Sequence, residues 1–165
     1  MARWKKNDGK MVLSLLAVLA VMVLIFAFSA QTGEESGETS GHIVTLVLRI
    51  FAPDFDRCTA AEQERIFYLT SFLVRKAAHF SEFCLLGITL TLFFGNLRHR
   101  LPVKRGWLWA WGIGTLYACS DEFHQSLVGG RGPSLADVGI DSSGVIAGVL
   151  LVLLCRHLLK RNREA

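Results

Sequence analysis

The sequence contains few cysteines, and their spacing excludes zinc sites that are built from paired thiols. Cys58, Cys84, Cys119 and Cys155 are far apart, and none of them belongs to a CxxC pair. The last three fall inside apolar segments, where cysteine most often acts as a small apolar residue. We expect no disulfide, although Cys58 and Cys119 are both predicted near the same surface.

Two motifs of hydrolytic enzymes are also missing from the chain. The sequence has no HExxH, the zinc motif of metalloproteases, and no GxSxG, the turn that presents a serine nucleophile. The sequence also indicates no cofactor. Whether the protein is an enzyme therefore has to be decided from other residues.

Charged residues are scarce and unevenly placed. Of the 165 residues, 19% are charged and 52% are hydrophobic, and the mean hydropathy is +0.39. This composition is too apolar for a soluble chain with one core, and the apolar residues form long runs, so we predict an integral membrane protein. The net charge of +4 comes from basic residues beside those runs, which indicates membrane topology and no nucleic-acid partner.

The hydrophobic runs predict an all-α membrane protein with four transmembrane helices in a single domain over 1–165. The predicted spans are about 11–30, 75–95, 107–121 and 138–159. The first run exceeds the apolar region of a signal peptide, so we expect it to be retained. Basic residues at both ends and in the loop 95–106 place the termini in the cytoplasm.

The first extracytoplasmic loop is long and has two predicted parts. Its start, 31–41, is polar and carries three glycines, which predicts a flexible segment. Apolar residues then recur at helical spacing over 43–51, which predicts a short interfacial helix, or equally a helix packed on the bundle. Thr59 and Glu62 form a capping-box pattern that begins a long second helix, expected to continue to about Phe94.

Polar side chains are predicted to meet at one surface of this domain. On a helix, Arg75, His79 and Glu82 lie at i, i+4 and i+7 and therefore share one face. Exposing these side chains to lipid costs free energy, so they must contact each other, water or polar groups of other helices. The topology brings polar residues of spans three and four to the same depth, namely Asp121, Glu122, His124, Gln125, Arg131, Asp137 and Asp141.

Span four combines acids with small residues on one stripe. Asp137, Asp141, Gly144 and Gly148 recur at helical spacing, and the two glycines form GxxxG. This motif allows a neighbouring helix to approach closely. We therefore expect a polar cluster that opens to the extracytoplasmic side and is closed below by glycine packing.

The sequence leaves two interpretations of this cluster open. A carboxyl group beside an imidazole and a guanidinium is suited to general acid–base catalysis. The candidate catalytic residues are Glu82, His79, Asp121 and Glu122. Alternatively, the same groups form a mutually satisfied hydrogen-bond network that fixes the register of the helices.

Basic side chains in the cluster also predict an anion site for a lipid phosphate or a carboxylate. The candidate ligand-binding residues are Arg75, Lys76, Gln125, Arg131, Asp137 and Asp141. Histidine and carboxylate ligands suit zinc or manganese. We nevertheless predict no metal site, because Arg75 would repel a cation and only two histidines, His79 and His124, are near.

Four motifs of the chain resemble the VanZ-like family of bacterial membrane proteins. They are RKAAHFSEFCLLG at 75–87, DEFHQ at 121–125, the Gly130-Arg131 pair, and DVGIDSSG at 137–144. The chain departs from the family pattern twice. Many members have proline before the Gly-Arg pair, and many have asparagine where this chain has Asp141.

The resemblance implies a role at the cell envelope, and the family is associated with low-level resistance to teicoplanin. The implied partners are membrane lipids, a lipid-linked envelope precursor or the lipoglycopeptide itself. A different class, an intramembrane hydrolase or transferase with Glu82 or Asp121 as general acid or base, remains an alternative. A proton-coupled transporter is less favoured, because the cytoplasmic half shows no matching path of ionisable residues.

Overall fold

The computed structural model describes residues 2–98, 104–128 and 134–164, with side chains for 8–98, 104–128 and 134–162. Within these ranges the structure is entirely helical, which confirms the predicted all-α class. The helices are α1 (Ala2–Ser29), α2 (Gly33–Phe51), α3 (Ala60–Leu97), α4 (Gly106–Gln125) and α5 (Leu135–Glu164), with one 3₁₀ turn at Phe55–Arg57.

Three of the described helices are long and apolar enough to cross a membrane. The qualifying segments are Asp8–Ser29, Ala60–Leu97 and Leu135–Asn162, and they contain three of the four predicted spans. The 20-residue α4 is not among them, and its last turn carries several polar residues. The predicted number of four spans therefore stays a prediction.

Helix α3 is a single uninterrupted helix of 38 residues, as predicted. Thr59 caps its first turn: the backbone amide of Thr59 donates to the Glu62 carboxylate at 2.9 Å, and the Glu62 amide donates back to the Thr59 hydroxyl at 3.4 Å. At 1.5 Å per residue the helix is about 57 Å long, well beyond the roughly 30 Å of a hydrocarbon core.

The polar segment after α1 differs from the prediction, because it is helical and not flexible. Helix α2 begins at Gly33, and Thr32 and Glu35 form a second capping box around its first turn. The backbone amide and the hydroxyl of Thr32 both donate to the Glu35 carboxylate, and these bonds lower the pKa of Glu35. The cap offsets the low helix propensity of a glycine-rich segment.

Helix α3 contacts each of the other four helices and so occupies the centre of the bundle. Its face buries Phe83 and Leu86 completely against residues of α1, α4 and α5. Among the described residues, the buried hydrophobic core around these two side chains includes Val18, Val21, Ile25, Leu90, Phe94, Ala110, Ala118, Val145 and Val149.

Glycines allow α3 and α5 to approach closely, as the GxxxG pattern predicts. A Cβ atom at Gly144 would collide with the carbonyl oxygen of Phe80, and one at Gly148 would collide with that of Cys84. Gly87 on α3 makes the reciprocal contact with the backbone of Val145. Backbone therefore packs on backbone along this part of the interface.

Many large apolar side chains remain exposed on the outside of the bundle. Leu13 of α1, Leu116 of α4 and Leu159 of α5 are each more than 60% exposed. A surface of this kind is costly in water and favourable in lipid. It agrees with the hydropathy of the three long helices and indicates a membrane protein.

Candidate functional site

Four helices bring polar side chains together at one end of the bundle. We define the polar cluster as His79 of α3, Asp121 and Gln125 of α4, Asp141 of α5 and Ser29 of α1. Four of these side chains are buried, while the His79 side chain keeps 24% of its surface exposed. The structure thus brings together residues that are up to 112 positions apart in the sequence. Four of the five were predicted to lie at the same depth, and Ser29 was not.

Asp121 is held by two hydrogen-bond donors. The Ser29 hydroxyl donates to Asp121 Oδ2 at 2.8 Å, and the Gln125 amide donates to the same oxygen at 2.7 Å. The i, i+4 spacing of Asp121 and Gln125 on α4 makes the second bond possible. Both donors are buried, so the orientation of this carboxylate is well defined.

His79 and Asp141 face each other across the contact between α3 and α5. The Nδ1 atom of His79 lies 3.8 Å from Oδ1 of Asp141. Asp141 is completely buried, and neither of its carboxylate oxygens has a hydrogen-bond partner. A buried carboxylate that lacks donors is costly, so this group is the least satisfied part of the cluster.

Glu122 points to a different place from Asp121, because adjacent residues on a helix face different directions. Its Oε2 atom accepts a hydrogen bond of 2.9 Å from the backbone amide of Ser134, just before α5. Its Oε1 atom is buried and has no hydrogen-bond partner. Glu122 therefore joins the end of α4 to the start of α5.

Lys76 and Asp137 form an ion pair one turn away from His79 and Asp141. The ammonium group contacts Asp137 Oδ1 directly, and about a quarter of each side chain is exposed. Lys76 also lies over the Phe72 ring, with its nitrogen 5.1 Å from the ring centre. Both residues were predicted to bind a ligand, and in this structure they bind each other.

Arg75 and Glu82 line a cavity beside the cluster. The cavity of about 220 Å³ lies between α2, α3 and the end of α1, and its wall also includes His79. Arg75 additionally lines a groove of about 910 Å³ between α2 and α3, together with Glu34 and Glu38. The predicted anion-binding arginine thus lines two concave surfaces.

Among the described residues, His124 is a predicted residue that stands apart from the cluster. The His124 ring stacks on Phe26 of α1, with ring centroids 4.6 Å apart, so it serves as a packing group between α4 and α1. Arg131, which was predicted to bind a ligand, lies outside the described residues.

The sequence analysis missed the contribution of α1. Ser29 was not a predicted site residue, yet it donates to Asp121 and accepts a hydrogen bond from Gln125 at 3.3 Å. The position of Ser29 at the end of an apolar run could have indicated a contact with another helix. A polar residue at that depth needs a partner on another helix.

A family model accounts for most of the chain. The model of the VanZ/LLP1 family matches residues 14–156, a range that includes every residue of the polar cluster. Neither the curated proteins nor the solved structures give a match. The geometry of the site therefore has to be interpreted from its own residues.

Proposed function

The chain belongs to the VanZ/LLP1 family, and on this premise we propose that it lowers susceptibility to lipoglycopeptides such as teicoplanin. It does so from the membrane of the cell envelope, by binding or altering an envelope lipid, a lipid-linked precursor or the drug. The observation that carries this proposal is the cavity that Arg75, His79 and Glu82 line beside a buried polar cluster.

The proposed topology has four spans, with both termini in the cytoplasm and the polar cluster facing outward. Helix α4 is the span of lowest hydropathy, and its packing against α1, α3 and α5 reduces the surface that lipid must cover. Trp107, Trp109 and Trp111 near its start suit a membrane interface. Helix α2 then lies at the outer surface, over the proposed cavity.

The proposed ligand carries an anionic group that Arg75 binds. A guanidinium recognises phosphate and carboxylate through two parallel hydrogen bonds. Arg75 also lines the larger groove between α2 and α3. The groove gives a bulky head group room beyond the anionic part, which fits a lipid-linked precursor better than a free ion.

One observation favours the alternative enzymatic function. His79 faces Asp141 and lies near Asp121, so an imidazole and two carboxyl groups converge beside a cavity. In this alternative the protein is an intramembrane hydrolase or transferase, and Glu82 or Asp121 acts as the general acid or base. His79 would orient the reacting group, and Arg75 would hold its anionic part.

Drug susceptibility of cells that lack their own copy tests the proposal. The cells carry wild type, Arg75→Ala, Glu82→Gln or the control Arg57→Ala, whose guanidinium only pairs with Asp54 on the exposed surface. Membrane levels are measured by immunoblot, and vancomycin serves as the comparison drug. We expect wild type and the control to protect against teicoplanin selectively, and Arg75→Ala to lose most of the protection.

The Glu82→Gln variant distinguishes the binding function from the enzymatic one. A binding protein should keep most of its protection in Glu82→Gln, because the amide preserves size and polarity. An enzyme that needs this carboxyl should lose protection as completely as Arg75→Ala does. If wild type gives no protection, or if Arg75→Ala protects as well as wild type at equal membrane level, the proposed function is wrong.

A further inference from the structure

The cluster contains three groups with the chemistry of metal ligands. One ligand atom each from His79, Asp121 and Asp141 lies within 4.8 Å of the other two. The three residues come from α3, α4 and α5, so no motif in the sequence links them. We propose that these three side chains bind one divalent cation of the Zn²⁺ or Mn²⁺ class.

The unsatisfied carboxylate of Asp141 is the first observation behind this proposal. Asp141 has no exposed surface, and both of its oxygens lack hydrogen-bond partners. Within the described ranges, no lysine or arginine forms an ion pair with Asp141 or Asp121. Two buried carboxylates in one place need a positive charge, and a divalent cation supplies two.

The spacing is close to that of a metal site. Ligand atoms held about 2.1 Å from one ion are at most about 4.2 Å apart, and about 3.4 Å in a tetrahedron. The observed limit of 4.8 Å therefore requires only a small rotation of side chains. His79 Nδ1 and Asp141 Oδ1 are already 3.8 Å apart.

The surroundings also resemble those of a metal site. Ser29 and Gln125 both donate to Oδ2 of Asp121, and such outer hydrogen bonds orient ligating carboxylates. His79 lines the cavity of about 220 Å³, which provides a path for the ion and room for a water at a further coordination position. One imidazole with two carboxylates favours zinc or manganese over magnesium.

Arg75, which the sequence predicts would repel a cation, lines the same cavity as His79 but also has acidic residues beside it. Its side chain lines the groove beside Glu34 and Glu38, and these acids face it from α2. Lys76, the other nearby cation, is paired with Asp137. Among the described residues, Arg75 and Lys76 thus have acidic neighbours other than Asp121 and Asp141.

Binding of Zn²⁺ alone to the purified full chain tests the proposal. The protein in detergent is stripped with a chelator, dialysed and titrated by calorimetry. We expect one equivalent to bind to wild type, and Asp141→Asn and His79→Gln to bind at least tenfold more weakly. The matched control is His157→Gln, an exposed histidine on α5, which should bind like wild type.

Thermal unfolding, measured with and without zinc, distinguishes a loss of zinc binding from a loss of folding in a variant. Zinc should raise the melting temperature of wild type and leave that of Asp141→Asn unchanged. Without metal, Asp141→Asn should melt at or above the wild-type temperature, because a buried negative charge has been removed. The proposal is wrong if wild type binds no zinc, or if both ligand variants bind it as tightly as wild type. No drug enters these measurements, so their failure would leave the proposed function standing.

Discussion

The interface between α3 and α5 has two parts, one formed by glycines and the other by ionisable side chains. In one part, Gly87, Gly144 and Gly148 let the two backbones touch. In the other part, Lys76 and His79 of α3 face Asp137 and Asp141 of α5. The two parts follow each other along the same helices, so the geometry of each depends on the other.

The difference shows how a membrane protein keeps ionisable groups together. Backbone contact through glycines fixes the distance between the helices, because a packed interface has little room to adjust. Charged side chains further along must then meet at that distance. The glycine part therefore supplies rigidity, and the polar part retains the groups that can bind or exchange a ligand.

The strongest way to break this arrangement is to add one methyl group in the glycine part. Gly148→Ala places a Cβ against the carbonyl oxygen of Cys84 and the amide nitrogen of Ile88, neither of which is the flexible end of a side chain. We expect a loss of at least about 3 kcal/mol of stability. Reversible unfolding in mixed micelles measures it.

Gly139→Ala is the matched control on the same helix. Nothing lies within 4 Å of a Cβ at that position, so alanine should be neutral or stabilise by up to about 1 kcal/mol. Equal losses in the two variants would show that the close contact between the backbones does not decide stability.

A smaller effect is expected in the polar part, where Ser29 supplies a donor to Asp121. Ser29→Ala removes one of two hydrogen bonds to a buried carboxylate, and we expect it to cost about 2 kcal/mol. The control is Ser40→Ala, since Ser40 donates only to carbonyls of its own helix. A loss no larger than that of the control would mean that Asp121 does not depend on α1.

The smallest effect is expected for the partly exposed ion pair. A double-mutant cycle of Lys76→Met and Asp137→Asn should give a coupling energy of roughly 1 kcal/mol that falls as salt is added. Unfolding of the four proteins at two salt concentrations measures it. A coupling energy that is zero, or that does not change with salt, would contradict a direct electrostatic contact.

The sequence predicts the parts of this protein that depend on local patterns. Hydropathy indicates the membrane-type helices, the capping box locates the start of α3, and GxxxG identifies the face of α5 that meets α3. The i, i+4 spacing of Asp121 and Gln125 likewise allows their contact. Each of these features is encoded within a few neighbouring residues.

Other features depend on how the helices are rotated against each other, which periodicity does not specify. The sequence places His79 near several acids, but only the packing selects Asp141 as the one that faces it. The role of Ser29 is missed for the same reason. Helix α2 is a different case, because the pattern of a capping box at Thr32 and Glu35 is present in the sequence, and the prediction, made from the three glycines and the polar residues, did not use it.

The unbroken length of α3 has a mechanical consequence. The helix has neither proline nor a bulge between Ala60 and Leu97. We therefore expect it to tilt as one rigid body. A tilt of about 10° would displace one end by about 10 Å relative to the other, given its length of about 57 Å. Because α3 contacts all the other helices, an event in the groove beside Arg75 would be transmitted to the opposite end of the bundle, near Asn96 and α1.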